Sequence, residues 1–561
     1  MLRKRTRWFG FVLVLAVLLT MVGGFAGAQE PKVLINGIRM TAGDPNTLDP
    51  QLAQDNKEIT IINHLFVGLT SQDEVTSEVS PGVSTWEISE DGLVYTFNIT
   101  PEVSWVRYNA ETGQVEQVLD ESGSPRYVTA ADFEYAIKRS LDPAQADPYA
   151  YVLAPYIVGG VEYNAGEGAA EDVAVVATDT YTLQLTAPEK VAFALNIYGM
   201  WMARATPQWA IEDAGTAWTE PENIATYGPY ALKEWAHEES VTLIKNPFWA
   251  GTEVYPQPRI DEVIIRFLDD ATQLPEYEAG TMDAIEVPQA EIERIKADPV
   301  LSQEYTAGAD NCSYYYGFNV QKPPFDNVHI RRAFSLAIDR QSIVDNVTKA
   351  GQIPARWFTR PGHNAAPSLE EFPDLGIGFD PDMAKEELAL GLQELGLASA
   401  AELPPLTLAF GNTTGHTQIA QAIQQMWADT LGVTVNLSAL DPTTYFVTQQ
   451  QDAEMIHRSG WCSDYPDANS FLYDVFRSDS SQNYGHFASA EFDQLVDEAR
   501  VLDDTDARQE KYARAEQILN WEEVGIAPIY WYVTKQLTKP YVERTYSIIG
   551  NENFTRWDIS K

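Results

Sequence analysis

The run Arg458-Ser459-Gly460-Trp461-Cys462-Ser463-Asp464-Tyr465 packs a thiol, a cation, an anion and two aromatics into eight positions. Its counterpart is Asn311-Cys312-Ser313-Tyr314-Tyr315-Tyr316, and these two segments hold the only two cysteines of the 561-residue chain. A carboxylate sequestered beside Trp and Tyr is costly unless a cation meets it. The chemistry to expect at Asp464 is therefore capture of an ammonium group, of which a peptide's amino terminus is one example. The local alternative is that Asp464 caps a turn ahead of Pro466, with Arg458 bridging to Asp464 or Asp452 as a structural ion pair.

Motifs for bond-making chemistry do not accompany these residues. There is no His-Glu-x-x-His, and His237-Glu238-Glu239 does not have that spacing. No Gly-x-Ser-x-Gly elbow occurs. The seven histidines are scattered from His64 to His486, so neither a metal site nor a cofactor is called for. The expectation is a binding protein and not an enzyme.

The chain opens with Arg3, Lys4, Arg5 and Arg7, an apolar run from about Phe9 to Val22, and Ala26-Gly27-Ala28. This is the pattern of a cleaved export signal over residues 1–28. An uncleaved membrane anchor is the alternative, since the apolar stretch to Ala28 is just long enough to span. No cysteine follows the apolar run, so a lipid anchor at that point is not expected. Export would permit a disulfide between the two cysteines. Closing so long a loop would stabilise by about 4–5 kcal/mol in the chain-entropy model; two free buried thiols are the other reading. The formal charge of −43 becomes −47 once the four basic leader residues are removed. Nucleic acid and anionic membrane are poor partners for such a surface. The roughly 530 residues that follow the leader exceed what one core usually holds, and no Gly/Ser tether separates them into beads.

Periodicity supplies the elements that must position the chemistry. Ile59 to Leu69 reads as a helix. Trp86-Glu87-Ile88 and the alternating Tyr95, Phe97, Ile99 flank Asp91-Gly92 as a hairpin. Residues 107–127 read as an exposed hairpin with Gly113 and Gly123 at its turns. Thr129 caps a helix from Ala130 to Leu141, and Asn327 caps one carrying Val328, Arg331, Phe334 and Ile338. Tyr314 to Asn319 alternates as a strand, and Ala527 to Val533 is another. Phe492, Leu495, Val496, Ala499 and then Tyr512, Ala515, Ile518, Leu519 mark two amphipathic helices read as core packing. Interleaved strands and helices argue α/β with mixed sheets.

Several strings, in order, resemble the peptide class of extracytoplasmic solute-binding proteins of ABC importers, family 5. They are Leu48-Asp49-Pro50, Pro81-Gly82-Val83, Val128-Thr129-Ala130-Ala131-Asp132-Phe133, Tyr227-Gly228-Pro229-Tyr230, Gln321-Lys322-Pro323-Pro324-Phe325, Gly460-Trp461-Cys462-Ser463-Asp464-Tyr465 and Pro528-Ile529-Tyr530-Trp531-Tyr532. The resemblance implies a bilobal periplasmic-binding-protein fold of cluster C type, with a two-segment hinge and an extra subdomain on the N-terminal lobe. Lobe I would take 29–66, 190–311 and 533–561, the extra subdomain 67–189, and lobe II 312–532. It also implies a disulfide between Cys312 and Cys462, and short peptides held between the lobes and passed to a membrane permease by a monomer. Asp464 would receive the α-ammonium, Trp461, Tyr315 and Tyr532 would wall the cleft, and Arg458 would meet the carboxylate of short ligands. His416 matches a position used by longer ligands, although after Gly415 it reads as a loop histidine. Three positions depart from the family pattern: Gln54 for an acidic residue, Pro442 for an aromatic, and Thr348 beside Lys349 for a second cation. A different solute on the same fold, such as an oligosaccharide, is the rival, and the 14 tryptophans leave it open.

Overall fold

The computed structural model describes residues 30–39, 44–548 and 550–561. The expected leader 1–28 lies outside them. Among the described residues no helix is long and apolar enough to cross a membrane.

Eleven strands among these residues form one mixed sheet that runs through the whole molecule. From one edge the order is Tyr230–Ala236, Ser240–Lys245, Glu262–Leu268, Val33–Arg39, Ala284–Glu286, Ile526–Thr538, Tyr305–Phe318, Ile456–Cys462, Leu406–Gly411 and Val435–Leu440, with the short Ile353–Pro354 paired onto Ile526–Thr538. The first half gathers strands from the first 290 residues, the second half strands beyond 400. Two long strands, of 14 and 13 residues, join the halves. Their antiparallel ladder runs from Tyr305–Ala309 opposite Val533–Leu537, breaks, and resumes from Ser313–Gly317 opposite Ile526–Trp531. A two-lobed α/β architecture follows, with both connections passing through this broken ladder.

A separate four-stranded sheet carries Ser84–Ile88, Val94–Ile99, Thr182–Thr186 and Val175–Ala177. Its first hairpin pairs Trp86 with Phe97. Gly92 takes φ +74° at the turn, a conformation that costs glycine nothing. The helix Ala130–Leu141 packs its Phe133, Ala136, Ile137 and Ser140 face inward, and Asp132 accepts from the Thr129 backbone N–H at 2.8 Å to close its first turn. Asp49, of the Leu48-Asp49-Pro50 string, ties this subdomain to the first lobe. Its carboxylate accepts from Arg139 (2.8 and 2.6 Å) and from the Trp218 indole (2.9 Å). All three are buried or nearly so, so this pair is worth far more broken than made: removing one partner strands the other in a dry core.

Two sequence expectations need correction. The helix after Asp55 spans Asn56–Leu65 and stops with Phe66 extended, so Leu69 is not on it. The Leu65 carbonyl is free at that end to accept from the Tyr227 and Gly228 N–H groups, which fixes the Tyr227-Gly228-Pro229 string against it. The strand after Cys312 does not alternate in exposure, because Tyr314 to Asn319 are all buried. It alternates in side instead: Tyr314, Tyr316 and Phe318 enter one core and Tyr315 enters another. A central strand covered on both faces has no solvent side to display.

Candidate functional site

The broken ladder forms the floor of a cleft of about 770 Å³ between the halves of the sheet. One wall carries Gly37, Ile38, Gln54, Asn56, Lys57 and Thr60, the other Tyr315, Arg458 to Cys462, Gln449, Gln450 and Tyr484, and the floor Tyr532 to Gln536. Strand pairing explains why backbone faces the opening. The ladder between Leu406–Gly411 and Ile456–Cys462 reaches only Ala409 and His457. Beyond His457 the strand is paired on its Tyr305–Phe318 side alone. On the facing wall Val33–Arg39 pairs with Ala284–Glu286 only at Asn36 and Gly37. Two partly free strand edges thus confront one another across the cleft.

The cysteines lie directly opposite each other in the central ladder and form a disulfide. It ties the Trp461 edge to the long floor strand at the point where the floor ladder breaks, and both cysteines line the cleft.

Asp464 follows two residues after this staple. Its backbone N–H donates to Ser470 Oγ at 3.1 Å, and the hydroxyls of Tyr149 and Tyr151 of the subdomain lie near its carboxylate. Oδ2 is shut off from solvent with no partner, and no cation pairs with the group among the described residues. Burial pushes its pKa up to about 7 against the pull of the two tyrosine hydroxyls. The turn-cap reading is therefore incomplete, since the backbone is satisfied while the carboxylate is not. Tyr149 lines the cleft and stands between it and Asp464.

Arg458 lies across the Tyr314 ring, 4.6 Å from its centroid, and donates from Nη2 to Tyr532 Oη at 2.8 Å. Gly460 keeps the space beside it open, because a Cβ there would come within 3.2 Å of Arg458 Nη2. The ion pairs expected as its alternative do not form: Asp452 pairs with Lys322 at 2.7 Å and Asp464 is not in reach. An arginine remains charged in any protein environment, so the cleft holds a guanidinium that forms no ion pair among the described residues, although Glu286, Asp310 and Glu552 also line the cleft. The Arg458 carbonyl is occupied from behind by Gln449 Nε2 (3.2 Å) and by the Tyr445 hydroxyl.

His416 is not in a loop. It stands in the first turn of Thr414–Leu431, capped by Thr413, because Thr413 supplies the N-cap that Gly415 seemed to break. Its Nδ1 is 3.3 Å from Tyr314 Oη, so it touches the ring beneath Arg458 and does not line the cleft. Burial, and then the nearby Arg458 charge, push its pKa down to about 3, which leaves the imidazole neutral. The departures also resolve. Pro442 opens the helix Pro442–Asp452, and Phe446 one turn later supplies an aromatic to the cleft. Lys349 is drawn off to Glu293 at 2.9 Å, and Thr348 is buried against Gln352. Gln54 lines the wall.

Tyr149 and Tyr151 were not singled out in the sequence. They lie more than 300 positions from Asp464, and only a Tyr-x-Tyr spacing after Asp147-Pro148 hinted at two rings on one side.

Comparison with known proteins identifies the family. Residues 79–483, more than half of the chain, match the family of bacterial extracellular solute-binding proteins, family 5. The chain is 33% identical over 514 residues to the periplasmic oligopeptide-binding protein OppA of Salmonella typhimurium, covering 90% of this chain and 88% of that protein. It is 33% identical over 507 residues to the oligopeptide-binding protein OppA of Bacillus subtilis, covering 87% and 86%. The crystal structure of Haemophilus influenzae OppA in complex with RPPGFSPFR superposes with a TM-score of 0.76 at 26% identity, covering 95% of this chain and 99% of that one. The chain belongs to family 5 of the bacterial extracellular solute-binding proteins.

Proposed function

We propose that this family 5 solute-binding protein is the peptide-capturing component of an ABC importer. It takes short peptides with a free amino terminus into the interlobe cleft, closes on them, and presents the closed form to a membrane permease. The observation that carries the reading is a pair of opposite charges, Arg458 in the cleft and Asp464 behind the cleft-lining Tyr149, neither with an ion-pair partner among the described residues. Six residues of nearly extended chain separate them, about 20 Å at most. The reach of both side chains shortens that to the span of a short peptide, whose ammonium would meet Asp464 and whose carboxylate would meet Arg458. Charge-assisted contacts at both ends are stronger than neutral ones. Between them the free strand edges beyond Gly37, at Ile38, and at Ser459–Gly460 offer backbone pairing to an extended ligand. A neutral oligosaccharide would answer neither charge.

Lobe I comprises 29–66, 190–311 and 533–561, the subdomain 67–189, and lobe II 312–532; the ladder break between Ala309 and Ser313 supports a hinge there. Walls from both lobes meet ligand together only on closure, so ligand shifts the population toward the closed form. The protein works as an exported monomer and carries out no bond chemistry.

The test is a thermal-shift comparison of ligand-stripped protein with free tri- to pentapeptides and their N-acetylated twins. Stabilisation by the free peptides alone supports the reading. Equal shifts from both sets would remove Asp464 as the anchor, and no shift from either would sink peptide capture.

A further inference from the structure

Both cysteines line the cleft, but they differ in access. Cys462 is exposed and Cys312 is buried. Their bond closes a cross-strand pair at the last residue of Ile456–Cys462, where that strand is paired on one side only. Next to Cys312 the floor ladder is interrupted between Ala309 and Ser313, so residues 310–312 have no partner in Ile526–Thr538. The staple thus joins two sparsely paired pieces of backbone. Beyond it the edge is held by Asn311, whose carbonyl accepts from the Ser463 N–H at 3.1 Å and whose Nδ2 donates to the Ser463 carbonyl at 2.9 Å. Neither cysteine belongs to an apolar core among the described residues, so loss of the bond leaves the cores packed and loosens the edge.

Exposed disulfides are the labile ones, because exchange needs access to a sulfur. We propose that this disulfide is a ligand-shielded redox switch: reduction loosens the Trp461–Asp464 edge and weakens peptide capture, and bound peptide protects the bond. The cleft of about 770 Å³ admits a small dithiol reductant. One thiolate of the reductant attacks Cys462 Sγ, the S–S bond breaks, and Cys312 leaves as a thiolate that takes a proton from solvent. The reductant's second thiol gives up its proton and displaces Cys462 Sγ, which is protonated in turn. Two electrons have then passed to the protein, which holds two thiols, and the reductant is oxidised to its own disulfide. The freed Cys312 thiol has an acceptor at hand in Asn311 Oδ1, 3.4 Å away. Trp461 precedes Cys462 and Asp464 follows it by two positions, so a proposed wall and the proposed anion both hang on this edge. Ordering a loose edge on binding subtracts from affinity. An extended ligand reaching from Arg458 to Asp464 runs along Ser459–Gly460 and over the exposed sulfur. The coupling is reciprocal, since whatever ligand gains from the intact bond the bond gains from ligand. This rests on the peptide reading above and adds a regulation to it.

Ligand-stripped full-chain protein, treated with dithiothreitol and sampled by thiol alkylation and mass measurement, tests it. The probe is the tightest-binding of tri-, tetra- and penta-alanine. The bond is expected to reduce without denaturant, giving two alkylated cysteines in protein that keeps its circular dichroism. Probe at about 100 times its Kd should slow the reduction about 100-fold, because only the unoccupied fraction reacts. By titration calorimetry the reduced protein should bind the probe about tenfold more weakly than the oxidised protein. The double variant Cys312→Ser with Cys462→Ser should show the same loss and no response to dithiothreitol. A bond that resists reduction until the protein unfolds, a rate indifferent to the probe, or equal affinities in the two redox states overturns the inference and leaves peptide capture standing. Unfolding of both the reduced protein and the double variant makes the bond a structural staple and overturns the switch as well. Failure of the oxidised protein to bind any of the three alanine peptides overturns the peptide reading with it.

Discussion

Asp464 and Arg458 are six positions apart and are proposed to meet the two ends of one ligand, yet their surroundings differ. Arg458 rests on the Tyr314 face and bonds Tyr532. Aromatic faces and hydroxyl oxygens answer a delocalised, weakly hydrated guanidinium in part. Asp464 has two tyrosine hydroxyls nearby, an unpartnered Oδ2 and a pKa pushed up to about 7 by burial. The same aromatic surroundings that accommodate a cation penalise an anion. The unmet need is concentrated at the proposed ammonium end, which therefore sets the strict requirement, and the other end is left to tolerate variation.

The sharpest way to break this comparison is to neutralise each charge. Asp464→Asn should cost tripeptide affinity about 100-fold or more, because a peptide ammonium would then be buried without its anion. In the same variant the ligand-free protein should melt higher than wild type at pH 8. A carboxyl with a raised folded pKa contributes stability below its unfolded pKa, near 3.8, and loses it as pH rises through about 7. The melting gain should accordingly vanish at pH 4. Calorimetric melts and titrations of one protein preparation check both signs. An Asn variant that binds as well as wild type would remove the ammonium contact.

The next effect needs no mutation. Below pH 7 the Asp464 carboxyl must shed its proton before it can meet an ammonium, so affinity should fall by up to tenfold per unit as pH drops from about 7. Above about pH 8 the peptide ammonium itself deprotonates and affinity should fall again. Titration calorimetry in buffers of different ionisation enthalpy should register a proton released on binding near pH 6. A flat profile from pH 5 to 8 would mean that Asp464 is already ionised in the empty protein.

Much of this was visible in the sequence because its parts are local. Cys462, Asp464, Trp461 and Arg458 fall within one strand and its exit, and Tyr315 and Tyr532 lie in strands whose aromatic runs stand out. The disulfide needed only a count of two. Caps at Thr129 and Asn327 and the Asp91-Gly92 turn were fixed by neighbours in the chain. What escaped depends on distant segments meeting: Tyr149 and Tyr151 over Asp464, and Arg204, Asn63 and Gln72 around one small cavity. No spacing rule connects positions 63, 72, 204 and 464. His416 escaped for the opposite reason, since a glycine one residue earlier masked the Thr413 cap.

At the Arg458 end the expected effects are smaller. Arg458→Met should weaken tripeptides about tenfold, with the loss shrinking as peptides lengthen and their carboxylates pass beyond it. An effect equal to that of Asp464→Asn, measured on one tripeptide, would erase the asymmetry between the two charges.

His416 is the finest test of that end. Its imidazole is neutral at any pH from 5 to 8, because burial and the Arg458 charge hold its pKa near 3. It therefore cannot add a cation to a ligand carboxylate in that range. Its one contact with the site is the Tyr314 hydroxyl at 3.3 Å, and Tyr314 in turn carries Arg458. His416→Leu should then change tripeptide affinity by no more than about twofold, in keeping with loss of a single long neutral hydrogen bond. It should leave the pH profile unaltered, since the groups pushed up toward neutrality there are carboxyls, Asp464 at about 7 and the cleft-lining Asp310 at about 6. A change in the acid limb on replacing His416 would show that imidazole, and not the carboxyl, sets the pH response, and would move the sensitive end of the cleft from Asp464 to Arg458.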